Sequence, residues 1–86
     1  MIIVNQDKTV MVNFDNVDHI ELKKLPINEI GYAIGIETSE SYFNRFAIYD
    51  TEERAKEVLQ EIIDMYKFNR CEAVGQENAV YRMPKD

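Results

Sequence analysis

Cysteine, histidine and tryptophan are nearly missing from this chain of 86 residues, which has one cysteine, one histidine and no tryptophan. A single cysteine, Cys71, cannot close a disulfide within the chain, which favours a reducing compartment. No apolar run approaches the roughly 20 residues of a membrane-spanning helix, and the N-terminal residues lack the positive charge and length of a signal peptide. We therefore expect a cytoplasmic protein that does not bind membranes.

Positive charge is also scarce. Ten lysines and arginines stand against 16 aspartates and glutamates, giving a net charge of −6. This balance argues against nonspecific binding to nucleic acids or to anionic membranes. Because the carboxylates form no clustered run, a solvated surface is the favoured interpretation. The weaker alternative is an acidic protein that docks on a basic partner.

The length predicts a single domain over residues 1–86. A chain of this size buries only about 60–65% of its unfolded surface, so its core is thin. Formation of a homodimer would supplement it.

Most of the chain alternates apolar and polar residues, as β-strands do. Six segments are predicted to be strands: 2–4, 9–14, 19–25, 29–38, 42–49 and 79–83. The turn-forming residues 15–18 predict a hairpin between the second and third segments. In the fourth segment, Gly31 and Gly35 share one face. They indicate either a bend, which we favour, or the close approach of another group.

One amphipathic helix is predicted over residues 51–67. Its apolar stripe follows helical spacing: Ala55, Val58, Leu59, Ile62, Ile63 and Tyr66. Asp50 and Glu53 have the spacing of a capping box, and Thr51 is the alternative cap. Together these elements predict an α+β fold with an antiparallel sheet of about five to six strands and one helix near the C-terminus. The helix would cover one face of the sheet or plug a curled, pleckstrin-homology-like roll.

The sequence contains no recognisable catalytic, cofactor or metal motif. Its densest polar cluster is Asp15, Asp18, His19 and Glu21. This cluster lacks the alternating ligands of a calcium loop, and a single histidine is a poor basis for a zinc site. Cys71 follows a cation, Arg70, but no motif joins it to His19. We predict no catalytic residue, no cofactor and no metal, and a chemical role for Cys71 or His19 stays open.

Aromatic residues gather in the fifth strand, around Arg45. Tyrosine and arginine are enriched at protein interfaces. We therefore predict an interface formed by Tyr42, Arg45 and Tyr49, with a purely core role as the alternative.

Four segments carry a resemblance: Asn5-Gln6-Asp7-Lys8, Asn13-Phe14-Asp15-Asn16-Val17, the cap and helix from Tyr49 to Ile62, and Tyr81-Arg82-Met83-Pro84. In these, most of the chain resembles a group of short uncharacterised proteins of Gram-positive bacteria, their phages and other mobile elements. The shared motifs are turns, a cap and a helix stripe. The resemblance therefore implies a bacterial or phage setting and transfers no catalytic residue.

Two functions follow as hypotheses. The first is a small non-enzymatic module that binds another protein, or a second copy of itself, through the surface around Arg45 and Tyr49. The alternative is a mobile-element inhibitor that sequesters a small anionic ligand or blocks a host nuclease. A ligand site would need convergent cations, for which the strands offer Lys23, Lys24, Arg45 and Arg82. An enzyme would instead need a pocket joining His19 or Cys71 to carboxylates.

Overall fold

The computed structural model describes residues 1–39, 41–71 and 80–86, while the side chains of residues 41–43 and 69–71 lie outside this description. Within it the chain forms six strands, one α-helix and a short 3-10 helix over Phe14–Asn16. The longer elements are β1 (Ile2–Val4), β2 (Met11–Asn13), β3 (Val17–Lys24), β4 (Tyr32–Thr38), β5 (Ser41–Tyr49), α1 (Glu52–Cys71) and β6 (Val80–Arg82). Cys71 was predicted to lie in a polar segment after the helix, but it is the last residue of α1. The rest of that predicted segment, residues 75–78, lies outside the described residues.

The α+β class is confirmed, but the described strands form two three-stranded sheets rather than one antiparallel sheet of five to six strands. The first sheet has the order β2-β1-β6, and the second has the order β3-β4-β5. The strand β1 runs antiparallel to β2 but parallel to β6. This parallel pair needs a long crossover connection, which contains α1. The sheets do not close into a barrel, which corrects the expectation of a curled roll.

The predicted hairpin between β2 and β3 is wrong. The Asn13 side chain accepts a hydrogen bond from the Asp15 amide at 3.0 Å and caps the 3-10 helix that follows β2. This short helix separates the two strands, so that β2 pairs with β1 and β3 pairs with β4. Of the predicted turn residues, Asp15 and Asn16 lie in the short helix, whereas Val17 and Asp18 already belong to β3. The connection leads from one sheet to the other.

The strand β5 contains a bulge that changes which side chains face the core. Ile34 pairs with Ala47 and Gly35 pairs with Arg45, so Phe46 has no partner on β4. One extra residue in a strand shifts the alternation of faces on one side of the bulge relative to the other. Phe46 and Ala47 are consequently both buried, although they are adjacent in the chain.

The helix α1 begins as predicted and continues past residue 67. The Arg54 amide donates to Thr51 Oγ1 at 3.1 Å, so Thr51, the alternative cap, is the one that satisfies an open backbone donor. Ala55, Val58 and Ile62 are buried against the second sheet. In the part of the chain that the structure describes, no helix combines the length and apolar character that crossing a membrane requires.

Both sheets contribute to one core. Its buried members are Met1, Ile3, Ile34, Ile36, Phe46, Ala47, Tyr49, Ala55, Val58, Ile62 and Met83. The first sheet is attached to the second by Gln6, whose amide donates to the Phe46 carbonyl at 2.8 Å. The Gln6 side chain also accepts from the Ile48 amide at 2.9 Å and donates to the Ile48 carbonyl at 3.1 Å. These bonds occupy part of the outer edge of β5, which would otherwise be open to pairing.

Candidate functional site

The three residues of the predicted interface do not share one surface. Arg45 is exposed, whereas Tyr49 is only 2% exposed and belongs to the core. The side chain of Tyr42 lies outside the described residues. The bulge at Phe46 is the physical reason for the separation, since it puts Arg45 and Tyr49 on opposite faces of β5. The placement of Tyr49 on a binding surface is therefore corrected, and Arg45 remains on the surface.

Arg45 instead points to the loop between β3 and β4. Its Nη1 donates to Glu29 Oε2 at 2.8 Å, and its Nη2 approaches Glu29 Oε1 at 3.4 Å. Two bonds from one guanidinium to one carboxylate fix the orientation of both groups. Both side chains are about two-fifths exposed, so the pair positions the loop more than it stabilises the fold.

This loop, residues 26–30, is ordered by its own hydrogen bonds. The Glu29 amide donates to the Pro26 carbonyl at 2.8 Å, which closes a turn, and the Leu25 amide donates to the Gly31 carbonyl at 3.0 Å, which closes the base. Leu25 is buried and anchors the loop to the protein interior. Proline at the start of the turn restricts the backbone further. The loop thus has a defined shape.

Gly31 explains how the loop joins β4. Its φ angle is +122°, a region that is essentially restricted to glycine. A Cβ atom there would lie 2.8 Å from the Tyr49 carbonyl and 3.3 Å from Ile48 Cγ2. Of the two interpretations of the glycines, a bend or a close approach, Gly31 shows the close approach, combined with a backbone turn before the strand begins.

The loop presents two isoleucines to solvent. Ile27 is 105% exposed and Ile30 is 88% exposed. A third apolar side chain, the partly exposed Ile48, lies at the base of the loop next to Gly31. Sequence analysis missed this surface because it assigned Ile30 to a strand that, in the structure, begins only at Tyr32. We call the group of Ile27, Ile30 and the Glu29–Arg45 pair the isoleucine loop.

A second polar cluster surrounds the start of α1 but offers no reactive group. The Tyr49 hydroxyl donates to the Pro84 carbonyl at 2.7 Å, and the Arg54 guanidinium lies 5.9 Å from the centre of its ring. Burial raises the pKa of Tyr49 to about 12, against the opposing effect of Arg54. Burial is the main cause that raises the pKa of Tyr81 above its usual range, and the 2.7 Å hydrogen bond to Glu61 raises it further. Both phenols are therefore neutral at physiological pH and serve to attach the C-terminal segment.

In the predicted polar cluster near His19, two exposed side chains of β3 contact Glu21. His19 Nε2 lies 3.1 Å from Glu21 Oε1, and Lys23 Nζ lies 3.9 Å from the same oxygen. Within the described residues, no group of three or more histidine, cysteine, aspartate or glutamate side chains could hold a metal ion. The side chain of Cys71 lies outside the described residues, so its relation to His19 stays open.

The four strand-borne cations proposed for an anionic ligand are dispersed. Lys23 is paired with Glu21, and Arg45 is paired with Glu29. Arg82 instead lines an open hollow together with two cations from outside the strands, Lys8 and Lys85.

Comparison with known proteins gives no match: no family model, no curated protein and no solved structure is similar to this chain. Its function must therefore be inferred from the geometry of its own residues.

Proposed function

We propose that this chain is a small non-enzymatic protein-interaction module that binds its partner through the isoleucine loop. The observation that carries the proposal is the full exposure of Ile27 and Ile30 on a loop whose backbone is fixed. A single exposed apolar residue is ordinary, but two on one short, ordered turn expose apolar surface that water solvates poorly.

The energetic argument favours binding of a partner with an apolar pocket. Burying one isoleucine side chain contributes about 1.5–3 kcal/mol. The loop is already held in shape by the Pro26 turn, by Gly31 and by the Glu29–Arg45 pair, so little conformational entropy is lost on association. The charged pair beside the isoleucines would supply the polar rim and orientation of such an interface.

The same geometry supports a role without catalysis. His19 is exposed and bonded to Glu21, and the tyrosines of the second cluster keep their protons at physiological pH.

The cellular setting is part of the proposal. The resemblance to short proteins of Gram-positive bacteria, their phages and mobile elements supports a bacterial cytoplasm as this setting. A second copy of the chain is one candidate partner, since a thin core favours dimers. The inhibitor hypothesis retains support in its ligand-binding form, because three cations line one hollow. The nuclease-blocking form of this hypothesis has less support, because Arg54 and Lys56 pair with carboxylates and interrupt the acidic face of α1.

The test is affinity capture from bacterial lysate with the wild-type chain and the double variant Ile27→Ser/Ile30→Ser, with native mass measured in parallel. The matched control is Val10→Ser/Met11→Ser, which removes two exposed apolar side chains elsewhere. We expect a protein that wild type and control recover and the loop variant does not. A native dimer that only the loop variant loses would identify the partner as a second copy. If all three proteins recovered the same partners equally and had the same number of chains in their native masses, the proposal would be refuted.

A further inference from the structure

An open hollow of about 700 Å³ lies between the turn after β1 and the segment after β6. This volume is in the range of small-molecule sites, about 300–1,000 Å³. We call it the basic hollow, and its lining residues are Gln6, Asp7, Lys8, Arg82, Met83, Pro84 and Lys85.

The walls of the basic hollow are fixed by hydrogen bonds between its two segments. The Gln6 side-chain amide lies 3.1 Å from the Pro84 carbonyl and 2.7 Å from the Lys85 carbonyl. The Met83 amide donates to the Val4 carbonyl at 3.0 Å, and the Lys8 amide donates to the Asn5 carbonyl at 3.1 Å. The three cations therefore project from backbone that is tied together.

The charge of this hollow is opposite to that of the chain. Lys8, Arg82 and Lys85 contribute three positive charges against one carboxylate, that of Asp7, whereas the whole chain carries −6. Elsewhere, Lys23, Arg45, Arg54 and Lys56 each lie within the 4.0 Å limit of an ion pair with a carboxylate, whereas Lys24 and Lys67 have no such partner among the described residues. In the part of the chain that the structure describes, none of the three cations of the hollow has such a partner.

Lys8 stands at a position where its backbone is unfavourable. Its φ angle is +63°, in the left-handed region that glycine and asparagine adopt most easily. A lysine there costs stability relative to glycine without contributing to the core. Its positive charge is what distinguishes it from the residues that this turn would favour.

We propose that the basic hollow binds a small phosphate-bearing anion. Three cations around one hollow suit a ligand with several negative charges. The guanidinium of Arg82 can donate two parallel bonds to phosphate oxygens, and Lys8 and Lys85 supply point charges. This site is separate from the isoleucine loop, so either proposal can fail without the other.

The primary test is NMR titration of the full chain with inorganic phosphate, pyrophosphate and ATP, each at constant ionic strength. We expect the amides of residues 7, 8, 82, 83 and 85 to shift in a saturable way with at least one probe. The tightest probe identifies the source, since free phosphate, a diphosphate and a nucleotide share the same chemistry. No saturable shift of these amides with any probe at about 10 mM, where millimolar sites are filled, would overturn the proposal.

Charge-matched variants separate a site from the effect of net charge. Arg82→Gln/Lys85→Gln should weaken binding of the tightest probe about tenfold or more, because charge-assisted bonds are lost. Lys24→Gln/Lys67→Gln removes the same charge away from the hollow and should change affinity less than about twofold, through screened long-range effects. Equal weakening by both double variants would overturn the proposal.

Two single substitutions distinguish loss of binding from loss of folding. Lys8→Gly should weaken binding severalfold while the protein becomes more stable, because glycine relieves the positive φ. Asp7→Asn should tighten binding because it removes a repulsive carboxylate, whereas Asp15→Asn, outside the hollow, should not. If Lys8→Gly left affinity unchanged, or if Asp15→Asn tightened binding as much as Asp7→Asn, the hollow would not be the site.

Discussion

Isoleucine side chains lie in opposite environments in the core and in the isoleucine loop. Ile34 is fully buried on β4 beneath the helix, with 0% of its surface exposed, whereas Ile30, four positions earlier in the chain, is 88% exposed. Between them stands Gly31, whose positive φ separates the loop from the strand. Two side chains of identical hydrophobicity thus end in water and in the core because of one backbone position.

This difference shows where an apolar residue stabilises the fold and where it is available to a partner. The buried isoleucines contribute through excluded water and close packing. The exposed ones contribute nothing comparable to the monomer, so they are free to contribute to association instead. Substitutions in the two regions should therefore separate folding from binding.

The largest effect is expected from shortening an isoleucine in each region. Ile34→Ala should lower the free energy of unfolding by about 2–5 kcal/mol, through lost burial and the cavity left behind. Ile27→Ala should change it by less than about 0.5 kcal/mol, since the side chain is already in water. Urea unfolding followed by circular dichroism measures both. A loss of stability in Ile27→Ala like that in Ile34→Ala would mean that the loop folds onto the protein in solution.

A smaller effect is expected at the boundary between the regions. Gly31→Ala should destabilise the protein by about 1–3 kcal/mol, because alanine resists positive φ and its Cβ would meet the Tyr49 carbonyl. Ile30→Ala is the adjacent control and should be nearly neutral. The same urea titration applies. If both variants were equally stable, the loop would be joined to β4 by a different backbone conformation.

A third effect, confined to alkaline pH, concerns how well the core excludes water around Tyr49. The folded state keeps this phenol protonated up to about pH 12, whereas the unfolded chain loses the proton near pH 10. Between these values the folded state binds more protons. The stability that the raised pKa of Tyr49 contributes is therefore fully present below pH 10 and is lost as the pH rises toward 12. The slope is at most about 1.4 kcal/mol per pH unit.

Tyr49→Phe should therefore be less sensitive to alkaline pH than the wild-type protein. The pKa of Tyr81 is also raised, so this residue adds a loss of stability with rising pH. Some dependence of stability on pH should therefore persist in the variant. Unfolding midpoints in urea from about pH 9 to 11.5 measure the difference. Identical slopes for the two proteins would show that the Tyr49 hydroxyl is solvated in the folded state.

Local patterns predicted the elements well but not which side chains of β5 are buried. The spacing of Ala55, Val58 and Ile62 predicted α1 and its buried face, because helical periodicity is a property of consecutive residues. Alternation likewise located the strands. It failed at Phe46, where a bulge shifts the faces. Tyr49, which the gathering of aromatic residues around Arg45 assigned to an interface, lies in the core. A bulge depends on the neighbouring strand, which the alternation of one segment does not record.

Periodicity and the turn or cap residues close in the chain were sufficient to predict the α+β class, the six strand segments, the helix and its apolar stripe. The division into two sheets, the parallel pairing of β1 with β6, and the meeting of Arg45 with Glu29 depend instead on the folded molecule as a whole. These join residues far apart in the chain. Their pairing depends on which contacts best bury apolar surface and satisfy the backbone of the whole molecule at once.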